Sequence, residues 1–339
     1  MLSNETQRRD FLRISGVGIA GAALCSRAAE AQTTPAASQS VILDVKVFGA
    51  TGDGNTIDTP CINRAIEAAA AVGGGTVHFP AGSYLCYSIR LKSNVALYLD
   101  QNAVIIAADP TGSGPGNYDL AEPNTAWDAY QDYGHNHWHN SLLCGEGLEN
   151  ISILGRGVIW GRGLTSGDDP SPVAEHVAGA DKAVGLKNCR NVTLRDFSIL
   201  KGGHFGILAT GVDNLTIDNL KIDTDRDGID IDCCRNVRVS NCSVNSPWDD
   251  AICPKSSYAL GYARATENVT ITNCYVTGVY KLGTLLDGTF KRFGPGANAN
   301  SLVHKNAHAK ISHVTITKGN QQVFDSDAVT ATKITIHYQ

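Results

Sequence analysis

Residues 191–197 read NVTLRDF, 214–220 read NLTIDNL, 236–242 read NVRVSNC and 268–274 read NVTITNC. Each stretch opens on an asparagine and then alternates apolar with polar side chains. That two-residue period marks a strand with one buried face. Looser copies begin at Asn94 (NVALYL), Asn150 (NISIL) and His313 (HVTITKG). The openings at 150, 191, 214, 236 and 268 set the repeat, which is shortest from Asn191 through Asn214 to Asn236. That shortest interval is too small for a helix pair or a propeller blade, and the leucine pattern of a leucine-rich repeat is missing. It fits one coil of a right-handed parallel β-helix with three short strands per turn, the longer intervals being coils with inserted loops. The expected fold class is therefore all-β. Asn150, Asn191, Asn214 and Asn268 also fall in Asn-x-Ser/Thr sequons, read here as a by-product of how the strands start.

A solenoid needs its end covered. Residues 59–73 supply a capping helix: Thr59 as N-cap, Pro60 in the first helical position, Gly73 as the stop, and an apolar stripe of Ile62, Ala65, Ile66 and Ala69. With FGATGDG (48–54) and GGGTVHFPAGSY (73–84) around it, this segment resembles the opening of pectin-degrading β-helix enzymes. Residues 108–140 break the rhythm and are expected to form a long loop over one face. Within them HNHWHN (135–140) reads as a polar loop near the cleft, with a metal site as the alternative.

Residues 1–31 are read as a signal peptide. Arg8-Arg9 is followed by Phe11-Leu12, a mild apolar run and Ala29-Glu30-Ala31, which resembles a twin-arginine signal for a periplasmic or secreted protein. The β-helix domain is expected over 41–339, with its end less defined from about 293. No apolar run reaches the roughly 18 residues of a membrane span. The chain carries a net charge of −5; removing 1–31 takes away four basic and three acidic groups and leaves −6. That argues against a nucleic-acid partner, which needs a basic track. Nine of the ten cysteines lie beyond the signal, without a CxxC pair. Most are expected to be buried thiols, with one buried and one exposed at Cys233-Cys234. A disulfide among Cys233, Cys234, Cys242 and Cys253 is the alternative.

The repeat asparagines also align the residues that follow them. Asn191 to His204, Asn214 to Asp227, Asn236 to Asp249 and Asn268 to Lys281 are equal intervals. Stacked coils about 4.8 Å apart would place Asp227 beside Asp249 and Asp250, with His204 below and Lys281 or Tyr280 above. Carboxyls that close cannot all ionise normally, so one becomes a proton donor beside ionised bases. Glycoside hydrolysis needs that combination. The run DTDRDGIDID (223–232) also imitates a calcium loop, but Asp230 and Cys234 stand where an aliphatic residue and a glutamate are required. Asp230 and Asp232 alternate with Ile229 and Ile231 and are expected on a solvated outer face.

Two motifs carry a family resemblance. DRDGID (225–230) is similar to the N-T-D-G-I-D motif of glycoside hydrolase family 28, the polygalacturonase family, and WDDAICPKSS (248–257) to its G/Q-D-D-x-x-x-x-K motif. The likeness covers roughly 41–292. It implies a pectin-lyase-like β-helix, inverting hydrolysis without a cofactor, Asp249 as general acid, and Asp227 and Asp250 activating water. Lys255 matches the motif's lysine. Lys255 and Lys281 are candidates for attracting a uronate carboxylate, and His204, Tyr280 and Trp248 for contacting sugar. The substrate implied is galacturonan or rhamnogalacturonan, acted on by a monomer. The chain departs from the family at Asp225-Arg226, which replaces Asn-Thr, and at Trp248, which replaces Gly or Gln. Pro254 interrupts a strand, and Tyr280 stands where Gly-His-Gly is expected; no Arg-Ile-Lys motif follows. A calcium-dependent pectate-lyase-like enzyme and a non-catalytic carbohydrate-binding solenoid are the alternatives.

Overall fold

A computed structural model describes residues 41–111, 117–128, 134–166, 179–262 and 264–280, and the backbone of strands Thr317–Lys318, Gln321–Gln322 and Ile336–Tyr338. Residues 1–31 and Lys281, and most of the chain beyond it, lie outside the described residues.

The chain winds as a right-handed parallel β-helix. One coil runs through Arg190–Arg195, Ser198–Leu200 and Phe205–Thr210; the next through Asp213–Asp218, Lys221–Asp223 and Asp227–Asp232. Equivalent strands of successive coils pair in parallel and build three sheets, one from each strand of the coil. In the first sheet Val192 pairs with Leu215, Leu215 with Val237 and Val237 with Val269, as the repeat spacing requires. These residues, with Leu194, Ile217, Val239 and Ile271, are buried in one continuous core.

The opening asparagine has a physical reason. Asn94, Asn150, Asn191, Asn214, Asn236 and Asn268 all have φ between 56° and 63°. Asparagine tolerates this left-handed region better than most residues, and it lets the chain turn a corner between sheets. Their side chains then form a ladder: each Nδ2 donates to the Oδ1 of the asparagine one coil earlier, from Asn150 onto Asn94 at 2.8 Å to Asn268 onto Asn236 at 3.0 Å.

The cap is a helix over Thr59–Ala71, with Ile62, Ala65, Ile66 and Ala69 buried as expected. Its N-cap is Asp58, immediately before the expected Thr59. Asp58 does not cap the helix with its side chain. Its carboxylate instead accepts from Thr51 N–H at 2.7 Å and Gly52 N–H at 3.0 Å, pinning the FGATGDG loop. Thr59 Oγ1 accepts from Tyr87 N–H at 2.7 Å, which ties the cap to the first coil. The nine cysteines from Cys61 to Cys274 are free thiols, and Cys233 and Cys234 are both fully buried, neither being the expected exposed one. Among the described residues, no helix is long and apolar enough to cross a membrane.

Candidate active site

The site lies where the third sheet, built from Ile89–Arg90, Ser141–Glu146, Lys182–Lys187, Phe205–Thr210, Asp227–Asp232 and Ile252–Lys255, meets the end of the second-sheet strand Ser243–Asp250. The outer face of the third sheet is covered. Trp138, from the long loop before Ser141, packs with Phe205, Leu208 and Ala259, beside Leu260. Trp138 Nε1 donates to Thr210 Oγ1 at 3.0 Å. Pro254 fits here because its strand is the last described strand of the sheet, where a missing N–H leaves no ladder bond unmade.

The coils stack, but the register is offset by a single position from the count made in sequence. Phe205, not His204, pairs with Asp227, and Ile229 pairs with Ile252, which aligns Asp227 with Asp250 rather than Asp249. The reason lies in the turns. Along the first sheet the interval shortens by one between Val192–Leu215 and Leu215–Val237, whereas along the third it lengthens by one between Ile207–Ile229 and Ile229–Ile252. The three aspartates still meet. Asp250 N–H donates to Asp227 Oδ1 at 3.2 Å and to Asp249 Oδ1 at 3.1 Å, so one donor gathers carboxylates from two coils. Tyr280 pairs with Asp250 in the neighbouring strand.

Their surroundings differ. Asp227 and Asp250 are 3% and 6% exposed. Burial pushes the Asp227 carboxyl well up, helped by Asp230, and lifts Asp250 to about 6 against the pull of Lys255. Asp249 is the most open of the three, with a side chain 23% exposed, and Arg226 Nη2 stands 3.0 Å from its Oδ2. Sequence reasoning missed Arg226. Its position in DRDGID, immediately before the first acid, was the available signal. Trp248 is 68% exposed beside Asp249, where a sugar ring can meet it.

His204 is 4% exposed. Its Nδ1 lies 2.7 Å from the Ser166 carbonyl oxygen, an acceptor, which places the proton on Nδ1. Burial lowers its pKa to about 3, so the ring is neutral. It adjoins Asp227 and Asp249 rather than presenting an open sugar contact.

Two expectations fail. Lys255 does not offer its ammonium to solvent: it is 5% exposed, with Nζ 2.6 Å from His135 Nε2 and 3.2 Å from Asp230 Oδ2. Asp230 and Asp232 are not solvated; both are completely buried. Asp230 faces His135 and Lys255, while Asp232 accepts from Ser257 N–H at 2.8 Å and from the Ser257 hydroxyl. The covering segments supply those partners. The sequence puts His135 in a polar loop near the cleft; the structure places it inside the site.

Among the described residues, His204 with Asp227 and Asp249, His135 with Asp227 and Asp230, and Glu122 with His139 and Glu146 each bring potential ligand atoms within 4.8 Å of one another. Lys255 already brings a cation to the second group, and Lys187 lies 2.8 Å from Glu146 in the third. The calcium loop is not formed: Asp223 and Asp225 are exposed whereas Asp227 and Asp230 are buried.

Fold and site together define a pectate-lyase-like parallel β-helix with a carboxylate cluster where its second and third sheets meet. The chain belongs to the rhamnogalacturonase A/epimerase, pectate lyase-like family, whose model matches residues 42–280. It is 24% identical over 242 residues to a probable polygalacturonase of Vitis vinifera, covering 66% of this chain and 47% of that protein. It is 28% identical over 242 residues to a mannuronan C5-epimerase of Azotobacter vinelandii, covering 64% of this chain and 12% of that protein. Among solved structures, an exopolygalacturonase from Thermotoga maritima superposes with a TM-score of 0.56 at 22% identity, covering 70% of this chain and 60% of the other. The chain therefore spans about half or less of the length of these two sequence relatives.

Proposed function

We propose that the chain hydrolyses glycosidic bonds in a pectic polysaccharide, galacturonan or rhamnogalacturonan. The observation that carries this reading is the pair of hydrogen bonds from Asp250 N–H to Asp227 and Asp249, which joins three aspartates from two coils beside an exposed tryptophan. Hydrolysis requires one carboxyl that gives a proton to the leaving oxygen and another that takes one from water. Asp249, the most open, is the donor in this reading; Asp227 and Asp250 are the acceptors. A carboxyl acting as donor cannot also be the anion of an ion pair, so Arg226 has to leave Asp249 when the acid works. A uronate carboxylate on the incoming sugar is a competing partner for that guanidinium. The family resemblance implies inversion, and the twin-arginine signal implies a periplasmic or secreted enzyme.

Single oxygens of Asp227 and Asp249 lie within 4.8 Å of each other, close enough for the two carboxyls to serve one glycosidic bond. The test is release of reducing ends from galacturonan and rhamnogalacturonan by the wild type and by Asp249→Asn, with proton NMR of the first-formed anomer. Equal activity of the two proteins removes Asp249 from the acid's role. Products that absorb as unsaturated uronides and vanish with a chelator make the protein a calcium-dependent lyase. Binding without cleavage makes it a carbohydrate-binding solenoid.

A further inference from the structure

Beneath the three aspartates lies a second charged group that the proposed hydrolysis leaves without a role. Lys255 Nζ, His135 Nε2 and Asp230 Oδ2 form a closed triangle with sides of 2.6, 3.2 and 3.0 Å. His135 Nε2 also lies 4.0 Å from Asp227 Oδ2. The three residues come from distant parts of the chain. His135 belongs to the loop covering the third sheet, Asp230 to Asp227–Asp232, and Lys255 to the neighbouring strand Ile252–Lys255. The His135 ring is held edge-on against Phe205 at 4.8 Å between centroids, and Phe205 is the register partner of Asp227.

The protonation of this triangle follows from its chemistry. Burial opposes a charge on Lys255, but Asp230, with Cys253, Asp227 and Asp250 around it, outweighs burial and holds its pKa well above the ordinary value. Burial likewise opposes a charge on Asp230; the Lys255 ammonium overturns it and holds that carboxyl down to about 2. Asp230 and Lys255 are thus an ion pair. An ammonium has only protons to offer, so the His135 nitrogen 2.6 Å away accepts one.

We infer that Lys255 is a positioning residue whose buried ammonium, seated by His135 and balanced by Asp230, sets the pH at which Asp227 and Asp250 give up their protons. Its consequence for catalysis rests on the reading of those two aspartates as the acceptors; the charge coupling itself needs no substrate. Titratable groups face Lys255 from every element packed on it: Asp227 and Asp230 from one strand, Asp250 from the strand before its own, Cys253 beside it, and His135 from the loop. The next buried ammonium, Lys182, is paired with Asp181 and lies over the Phe205 ring at 5.4 Å. Among the described residues, Lys255 is therefore the cation that acts on the carboxylate cluster from within the sheet.

Opposite charge changes test this. Lys255→Met leaves the Asp230 anion beside Asp227 and Asp250, so their titration should move to higher pH. Asp230→Asn leaves the ammonium unbalanced, so their titration should move to lower pH. Each shift is expected to be about one pH unit or more. The double variant Lys255→Met/Asp230→Asn should return towards wild type, and Lys255→Arg should stay near it. The readout is a carbon-13 NMR titration of protein labelled at the aspartate carboxyl carbons, accompanied by the pH profile of reducing-end release. Shifts of opposite sign in the two single variants support the inference, because damage to packing alone would not reverse sign. Shifts of the same sign, or none, overturn it. If Lys255→Met fails to fold, Asp230→Asn and Lys255→Arg still decide: a downward shift in the first with little in the second supports the inference, and any other pattern overturns it. A wild type that releases no reducing ends defeats the hydrolase reading alone, since the NMR titration proceeds without substrate.

Discussion

In the strand Arg235–Ser240 of the first sheet, Val237 and Val239 face the core while Arg238 stands in solvent. In the strand Asp227–Asp232 of the third sheet, Ile229 and Ile231 face the same core, yet Asp230 and Asp232 on the other face are completely buried. Both strands alternate apolar and polar residues. The difference is what lies outside. Among the described residues the first sheet is bare, whereas the third is covered by two segments that bring their own polar side chains, His135 against Asp230 and Ser257 against Asp232. An alternating pattern therefore establishes which residues face the core, not whether the opposite face is wet.

The sharpest way to break this contrast is functional. If the carboxylates gathered at the edge of the covered sheet are catalytic, Asp249→Asn should lower the rate of reducing-end release by about 10²- to 10⁴-fold, the usual worth of a general acid. Its melting temperature should stay close to that of the wild type, because Asp249 is partly exposed. A comparable loss of activity from Arg238→Ala on the bare sheet would contradict the assignment.

The next effect is on stability. Asp230→Ala strands a buried ammonium, and breaking a buried pair in that way costs about 3–5 kcal/mol. Arg238→Ala occupies the matching outward position on the bare sheet and should stay within about 0.5 kcal/mol of wild type. Urea denaturation of both variants measures the gap. Similar values would mean that the covering segments do not seal the third sheet.

How much of this was open to sequence reasoning depends on distance along the chain. The coil period, the Asn-headed strands and the Ile62–Ala69 stripe are local patterns, and the structure reproduces them. The meeting of Asp227, Asp249 and Asp250 followed from the repeat, although a small change in turn length exchanged Asp250 for Asp249 in the column. The sequence presents Lys255 and Asp230 as a substrate contact and a surface acid. Their true partner, His135, is separated from Asp230 by 95 positions and from Lys255 by 120, in a loop whose path no periodicity specifies.

The buried wall should also respond to pH. The Asp250 carboxyl is lifted from 3.8 to about 6, mainly by burial. A carboxyl raised in the folded state favours folding while protonated, below its unfolded value, and that stability is lost as pH rises through the folded value. Stability should therefore fall between about pH 4 and pH 6, by about 2–3 kcal/mol from this group. Asp250→Asn should flatten that decline. Asp230, held down to about 2, acts in the opposite sense, and its contribution disappears only as pH drops towards 2. Reducing-end release should rise with pH through about 6 and keep rising above it, because Asp250 and the more strongly raised Asp227 accept a proton only when ionised. A melting curve with no slope over that interval would mean that Asp250 is hydrated rather than buried.

The smallest effect belongs to the bare wall and tests what holds it together without a cover. Asn214 sits at φ 57°, donates to Asn191 at 2.9 Å and accepts from Asn236 at 3.1 Å. Asn214→Ala loses both hydrogen bonds and forces an alanine into the left-handed region, for a combined cost of about 2 kcal/mol. Asn214→Gly loses the same hydrogen bonds but removes the steric penalty, so it should cost less, about 1 kcal/mol. The two variants separate the turn from the ladder. If they are equally destabilised, the ladder bonds hold the corner; if Asn214→Gly matches wild type, the asparagine is there for its backbone and the ladder is incidental. In either case the cost should be smaller than at Asp230, because water can replace the lost partners on an open face and cannot reach them under a covered one.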